Sequence, residues 1–150
     1  MAIDLRHDWP TALQEAGFSA TQPSAWIAEG LLPFLPPVVQ DRLLDNITGL
    51  SAPSSRVATE NIPATLAQVS VRLTAATKHW RTYGLDKEWA DLWYTGERND
   101  VAEYLSRCGW RAFANSGSEL FAANGLYSDP HHQDQAAIVN SLAYVDAIRG

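Results

Sequence analysis

The stretch MAIDLRHDWPTALQEAGFSATQPSAWIAE (residues 1–29) decides how this chain is read. It opens on an apolar run, Met1-Ala2-Ile3, closed by Asp4. It ends on a second run, Ala25-Trp26-Ile27-Ala28, closed by Glu29. Between them, Trp9 to Ala16 reads as a short helix. Asp8 precedes Trp9-Pro10, and a proline in the first helical turn loses nothing, because its missing N–H would have had no partner there. Gly17 stops the helix, and Thr21-Gln22-Pro23-Ser24 is turn chemistry. The pattern is strand, helix, strand, with a carboxylate at the carboxyl end of each strand. In open α/β sheets, ligands bind outside those ends. The short spacing and the right-handed crossover put Asp4 and Glu29 on one rim of the sheet. Two carboxylates there suit a ligand with several hydroxyl or amino donors, or a positive charge. The first strand begins almost at its acid, so the chain reads like the second half of a nucleotide-type domain.

Working outward, Pro33, Pro36 and Pro37 stiffen the connection after Glu29. A helix follows with Val39, Leu43, Ile47 and Leu50 on one face. Ser51 to Ser55 is a loop, and Arg56 to Glu60 is another short strand that ends in an acid. Leu66, Val69, Leu73, Ala76, Trp80 and Tyr83 recur at helical spacing, with Gly84 as the stop. Residues 85–98 are irregular and aromatic. Asp100 with Glu103 has capping-box spacing, and Gly109 ends that helix. Trp110 to Ala114 reads as a strand, Ser118 as the cap of a short helix that Gly125 closes, and Leu142 to Arg149 as a final strand. Tyr127 to Gln135 is a polar loop. The order predicts an α/β fold, a mostly parallel sheet covered by helices, in one domain over residues 1–150.

With 150 residues, 46% hydrophobic and 19% charged, the composition is that of one soluble globular domain. The net charge of −6 and a pI near 5.0 leave no basic patch, so nucleic acid is not expected as a partner. The apolar stretch Ala25 to Leu35 is too short for a bilayer and contains Glu29 and Pro33. No signal peptide is read at the start. Cys108 is the single cysteine, which suits a reducing cytoplasm and buried packing rather than a nucleophile. His131 and His132 lie between Asp129 and Asp134, but adjacent histidines in a polar loop rarely share one ion, so no metal site is expected. The six tryptophans point to a core or a cleft rich in aromatic surface. A nucleotide-type domain places a glycine-rich turn after its first strand. None of the nine glycines here are spaced G-x-G. There is no phosphate loop and no G-x-S-x-G elbow.

The strings IDLRHDWP (3–10), PSAWIAEGLLPFLPP (23–37), QDRLLDNI (40–47), RVATEN (56–61), LWYTGERNDVAEYL (92–105) and ELFAANGL (119–126) carry a resemblance. In this order they resemble the S-adenosylmethionine-dependent methyltransferases related to leucine carboxyl methyltransferases. The resemblance covers nearly the whole chain and implies the carboxyl-terminal half of a class I, Rossmann-like domain. That half lacks the first two strands and the glycine-rich loop.

Residue by residue, the resemblance implies that Asp4 bonds the adenine amino group and that the Leu5 backbone N–H meets an adenine ring nitrogen. It places Glu29 beside the ammonium and sulfonium of S-adenosyl-L-methionine. Trp93, Tyr94, Glu97 and Arg98 match a segment, within 85–100, that covers the acceptor. Taken alone, these residues have plainer readings: Asp4 and Glu29 as solvated strand ends, the aromatics as core or lid packing, Arg98 as a surface ion-pair partner. The implied reaction is O-methyl transfer to a small-molecule carboxylate or hydroxyl, in the complete domain. Alone, the chain is expected to bind the cofactor weakly and to be inactive. The alternative is a non-catalytic α/β module that self-associates through an exposed sheet edge.

Overall fold

The structure, a computed structural model, describes residues 2–61, 92–94, 96–126 and 143–150. The expected helix over 66–83, the polar loop 127–135 and both His131 and His132 lie outside the described residues.

Helix α1, Trp9–Glu15, starts where the Asp8 carboxylate accepts the N–H of Thr11 at 3.2 Å. Strand β1 is Ala25–Ala28. A single 3-10 turn, Leu32–Phe34, leads into α2, Pro37–Gly49. Strand β2 is Arg56–Asn61. Helix α3, Val101–Arg107, is capped by Asp100, whose carboxylate accepts the Glu103 N–H at 3.0 Å. Strand β3 is Trp110–Ser116, α4 is Gly117–Ala123, and β4 is Ala143–Arg149.

The four strands lie in the order β1-β2-β4-β3. The β1–β2 pairing is parallel, while β4 is antiparallel to both β2 and β3. The expected mostly parallel sheet is therefore a mixed one. Three strands share a direction, but β4 runs against them and sits between two of them. Its alternation explains how it fits: Val145 and Ala147 are buried, Tyr144 and Asp146 exposed, the pattern of a strand with one face in the core.

That core lies on one side of the sheet. Trp9, Leu43, Leu44, Ile47, Val101 and Leu105 from the helices pack on Val57, Val145, Ala147 and Trp110. Leu44, Val101 and Leu105 are completely buried, each adding about 1.5–3 kcal/mol by leaving water. Of the tryptophans, Trp26 meets Trp9 edge-on with centroids 6.2 Å apart. The indole N–H of Trp110 donates to Thr48 Oγ1 at 2.9 Å.

Two local expectations change. The helix after β3 is capped by Ser116, not Ser118. Ser116 and Glu119 form a reciprocal capping box, with each side chain accepting the other's backbone N–H. The S-x-x-E spacing belongs to Ser116, and Ser118 lies inside the first turn. Second, Ala2 to Asp4 form no strand and are exposed. The Asp4 side chain instead accepts the Arg6 N–H at 2.9 Å, a local turn that competes with an extended ladder. Among the described residues, no helix is long and apolar enough to cross a membrane.

Candidate functional site

Beyond β1 the sheet offers an unladdered edge among the described residues, since β1 pairs only with β2. Against this end of the sheet lies a recess of about 420 Å³. The amino-terminal segment supplies Ile3 and Leu5 to it, β1 and its turn supply Ala28 and Leu31, and Trp9 and Trp26 form part of its wall. Asp4 stands between two lining residues, Ile3 and Leu5. Glu29 follows the lining residue Ala28. The two acids singled out in the sequence are thus next to lining residues along the chain but do not themselves line the recess, and only Glu29 closes a strand. A second recess of about 290 Å³ lies on the other side of Leu5 and Trp9 and includes Arg6, Asp8, Arg42 and Asn46.

The two acids differ in state. Asp4 carries Arg6 on its carboxylate, with Nε at 3.0 Å and Nη2 at 2.5 Å. That guanidinium and the Arg6 N–H hold the Asp4 carboxyl well below the usual carboxylate range, and Asp4 in turn raises the Arg6 pKa. Glu29 is exposed at the carboxyl end of β1.

What holds the turn after Glu29 is a residue that sequence reasoning left as an ordinary strand-end acid. Glu60, only 6% exposed, accepts three backbone N–H groups. Gly30 donates to Oε2 at 2.7 Å, and Leu31 and Leu32 donate to Oε1 at 2.9 and 3.3 Å. Gly30 has φ +64°, a left-handed conformation that costs glycine little. The neighbouring Thr59 hydroxyl donates to the Ala28 carbonyl at 2.8 Å. Asn61 donates to Asp100 at 2.5 Å, tying β2 to the α3 cap.

The acceptor-side residues are spread differently from expectation. Trp93 is half-buried and meets Phe34 edge-on, with centroids 6.4 Å apart and an interplanar angle of 87°. Its indole N–H is buried without a hydrogen-bond partner among the described residues. Tyr94 is exposed, and its N–H donates to the Pro33 carbonyl at 3.0 Å. Glu97 is exposed. Arg98 points inward rather than forming a surface ion pair. Nη1 donates to the Leu32 carbonyl at 2.9 Å and Gln40 Oε1 at 3.0 Å, and Nη2 to the carbonyls of Leu35 and Tyr94. Burial pulls its pKa below the ordinary value, with Asp41 opposing the change. This guanidinium fastens residues 92–98 to the connection between β1 and α2.

Other titratable groups lie away from the recess. Tyr104 donates to Asp45 at 2.8 Å, which pushes its hydroxyl up to about 12. Burial, then the Asp45 charge, raises the Cys108 thiol, which agrees with packing rather than nucleophilic chemistry. Among the described residues, no three His, Cys, Asp or Glu side chains gather as metal ligands.

The geometry is that of an α/β sheet with an apolar recess along β1, and sequence comparison finds what the chain is similar to. The leucine carboxyl methyltransferase family model matches residues 1–48. The relatives are more specific. A Mycobacterium avium (strain 104) protein named "Putative S-adenosyl-L-methionine-dependent methyltransferase" is 50% identical over 147 residues, which is 98% of this chain and 47% of that protein. Proteins of the same name from Mycobacterium marinum (strain ATCC BAA-535 / M) and Mycobacterium sp. (strain KMS) are 47% identical over 149 residues and 54% over 125. They cover 99% and 83% of this chain, and the chain covers 49% and 42% of them. The chain is thus similar to the leucine carboxyl methyltransferase family over residues 1–48 and to proteins named as S-adenosyl-L-methionine-dependent methyltransferases over nearly all its length. It spans about half the length of the curated relatives it matches.

Proposed function

We propose that this chain forms one side of the cofactor cleft of a class I S-adenosyl-L-methionine-dependent methyltransferase. The reaction of the complete domain is O-methyl transfer to a carboxylate or hydroxyl acceptor. The observation that carries this reading is the apolar recess lined by Ile3, Leu5 and Ala28, the chain neighbours of Asp4 and Glu29. An apolar hollow walled by Trp9 and Trp26 suits a flat aromatic base, and an acid on its rim suits a positively charged tail. On this reading the fold is an incomplete Rossmann-like sheet, and the remaining strands and glycine loop belong to the half of the relatives that the chain does not span.

The roles are those that the resemblance implies. The Asp4 carboxylate takes the adenine amino group once Arg6, an exposed side chain, swings off it. The Leu5 backbone N–H meets a ring nitrogen. Glu29 faces the ammonium and sulfonium. The cofactor supplies a methyl group made electrophilic by the sulfonium. An ionised carboxylate acceptor needs no general base, so alignment and exclusion of water are what the protein provides. Trp93 and Tyr94 border the acceptor, Glu97 lies on the same segment, and Arg98 holds that segment in position.

The test is a titration. The 150-residue chain alone should bind S-adenosyl-L-methionine no more tightly than about 100 μM. Fusion to the amino-terminal half of a relative should raise affinity and soluble yield together. In the fusion, Asp4→Ala and Glu29→Ala should each weaken binding about tenfold or more, through loss of a hydrogen bond to a buried ligand group. His131→Ala should change neither property. If both acid variants bind like the parent fusion, the residue assignments fail.

A second reading, a non-catalytic module that self-associates, draws on the same edge. Ile27, in the unladdered strand β1, is 75% exposed, and such edges pair with other chains. Sedimentation distinguishes the two: an Ile27→Lys variant that turns a dimer into a monomer supports self-association, and a parent chain that is monomeric throughout removes it.

A further inference from the structure

We infer that Glu60 is a positioning residue for the cofactor-side acid Glu29: its buried carboxylate gathers the turn after β1 and so aims Glu29 at the recess. The inference rests on the proposed role of Glu29 and goes beyond it, because Glu60 stands on another strand and its contacts in the structure are with backbone. Glu60 and Glu29 divide the work that one acid cannot do. A carboxylate that meets a ligand must be accessible, as Glu29 is. A carboxylate that fixes backbone must be buried among donors, as Glu60 is at 6% exposure. Its two oxygens are used separately: Oε2 takes Gly30, and Oε1 takes Leu31 and Leu32. The three consecutive N–H groups converge on one charged acceptor, and charge-assisted bonds of this kind are stronger than neutral ones. Thr59 holds the Ala28 carbonyl from the preceding position. Glu29 lies between Ala28 and Gly30, so its backbone is fixed on both sides by consecutive residues of β2. An acid left on an unsupported loop would spread its charge over many positions, and the entropy of ordering it would count against binding.

The test uses the 150-residue chain and four variants, Glu60→Gln, Glu60→Asp, Glu29→Gln and the double variant of Glu29→Gln with Glu60→Gln. Gln offers one acceptor oxygen, so it can keep the Gly30 bond or the Leu31 and Leu32 bonds, not both sets. Asp keeps the charge and withdraws it by one methylene, and it decides the matter should the Gln variant not fold. Amide exchange and amide proton shifts are followed by nuclear magnetic resonance. In either Glu60 variant, Gly30 to Leu32 should exchange about tenfold faster or more, with their proton shifts moving upfield. The amides of α2 and β4 should lose less protection than those of the turn. Unchanged exchange at Gly30 to Leu32 would overturn the inference. Equal loss across α2 and β4 would also overturn it, since that is what a merely structural residue would show.

The same samples then take millimolar S-adenosyl-L-methionine or S-adenosylhomocysteine, which differ by a methyl group and a positive charge. The preference for the charged ligand should fall by the same factor in Glu29→Gln and Glu60→Gln, and no further in the double variant. A fall in Glu29→Gln alone would overturn the inference. If neither ligand disturbs any amide of the parent or of its fusion to a relative's amino-terminal half, the proposed function fails, while the exchange result still decides what Glu60 does to the turn.

Discussion

Set side by side, the segment around Asp4 and the turn after β1 hold their acids in opposite ways. Asp4 is held by a residue two positions away, at the surface, through an arginine that is itself exposed. The turn that carries Glu29 is held from 28 to 30 residues away, by a carboxylate in the interior. An exposed ion pair adds little to stability and yields readily. A buried carboxylate with three backbone donors does not yield without leaving those donors unpaired. The comparison teaches that the recess has one adaptable wall and one fixed wall. On the function proposed above, a ligand would displace Arg6 from Asp4 on the first and find Glu29 already placed on the second.

The comparison can be broken by substitution. The largest effect should come from Glu60→Ala, which orphans three N–H groups around a buried site. Denaturant unfolding should show a loss of about 2–4 kcal/mol, and a loss no larger than that of a surface residue would erase the distinction between the walls. Next comes Arg98→Ala, which removes the fork that joins the Leu32 and Leu35 carbonyls to Gln40. The same measurement should show about 1–2 kcal/mol. Arg98→Lys should recover little of it, because an ammonium cannot reproduce the planar fork.

The smallest effect belongs to the adaptable wall. Arg6→Ala should leave the unfolding midpoint unchanged but move the titration of Asp4. In the parent, its carboxyl stays ionised below the ordinary value of 3.8 because Arg6 lies on it. A depressed folded value means that whatever stability the pair adds is present above the unfolded pKa. It is lost only as pH falls through the folded one. In Arg6→Ala, the carboxyl resonance of Asp4 should titrate near 3.8. If it titrates as low as in the parent, something other than Arg6 holds it.

The same contrast explains what could be read from residues alone. Strand β1 and helix α1 are announced by nearby residues: an Asp8 cap, a proline in the first turn, an apolar run ending in an acid. Asp4 and Glu29 were legible because each sits beside such a run. The missing strand at Ala2–Asp4 was not, since the bond between the Asp4 side chain and the Arg6 N–H outcompetes extended pairing, and no periodicity reports that. The direction of β4 was not legible either. Its alternation shows a half-buried strand but not which neighbours it enters between. Glu60 stayed hidden for a further reason. An acid at a strand end looks alike whether it faces water or three amides, and only the fold brings Gly30 to Leu32 beneath it. Arg98 reads as a surface cation until the carbonyls of Leu32, Leu35 and Tyr94 surround it.

The clamp on the turn also has a consequence in time. Gly30, Leu31 and Leu32 leave the ribosome well before Glu60 does, and a loop of that length must close before their amides find their acceptor. Until β2 is laid against β1, the turn has no reason to hold its shape, although it is among the shortest features of the molecule. Order at this rim therefore waits for β2 and arrives all at once, with the parallel pairing of β1 and β2 as its trigger.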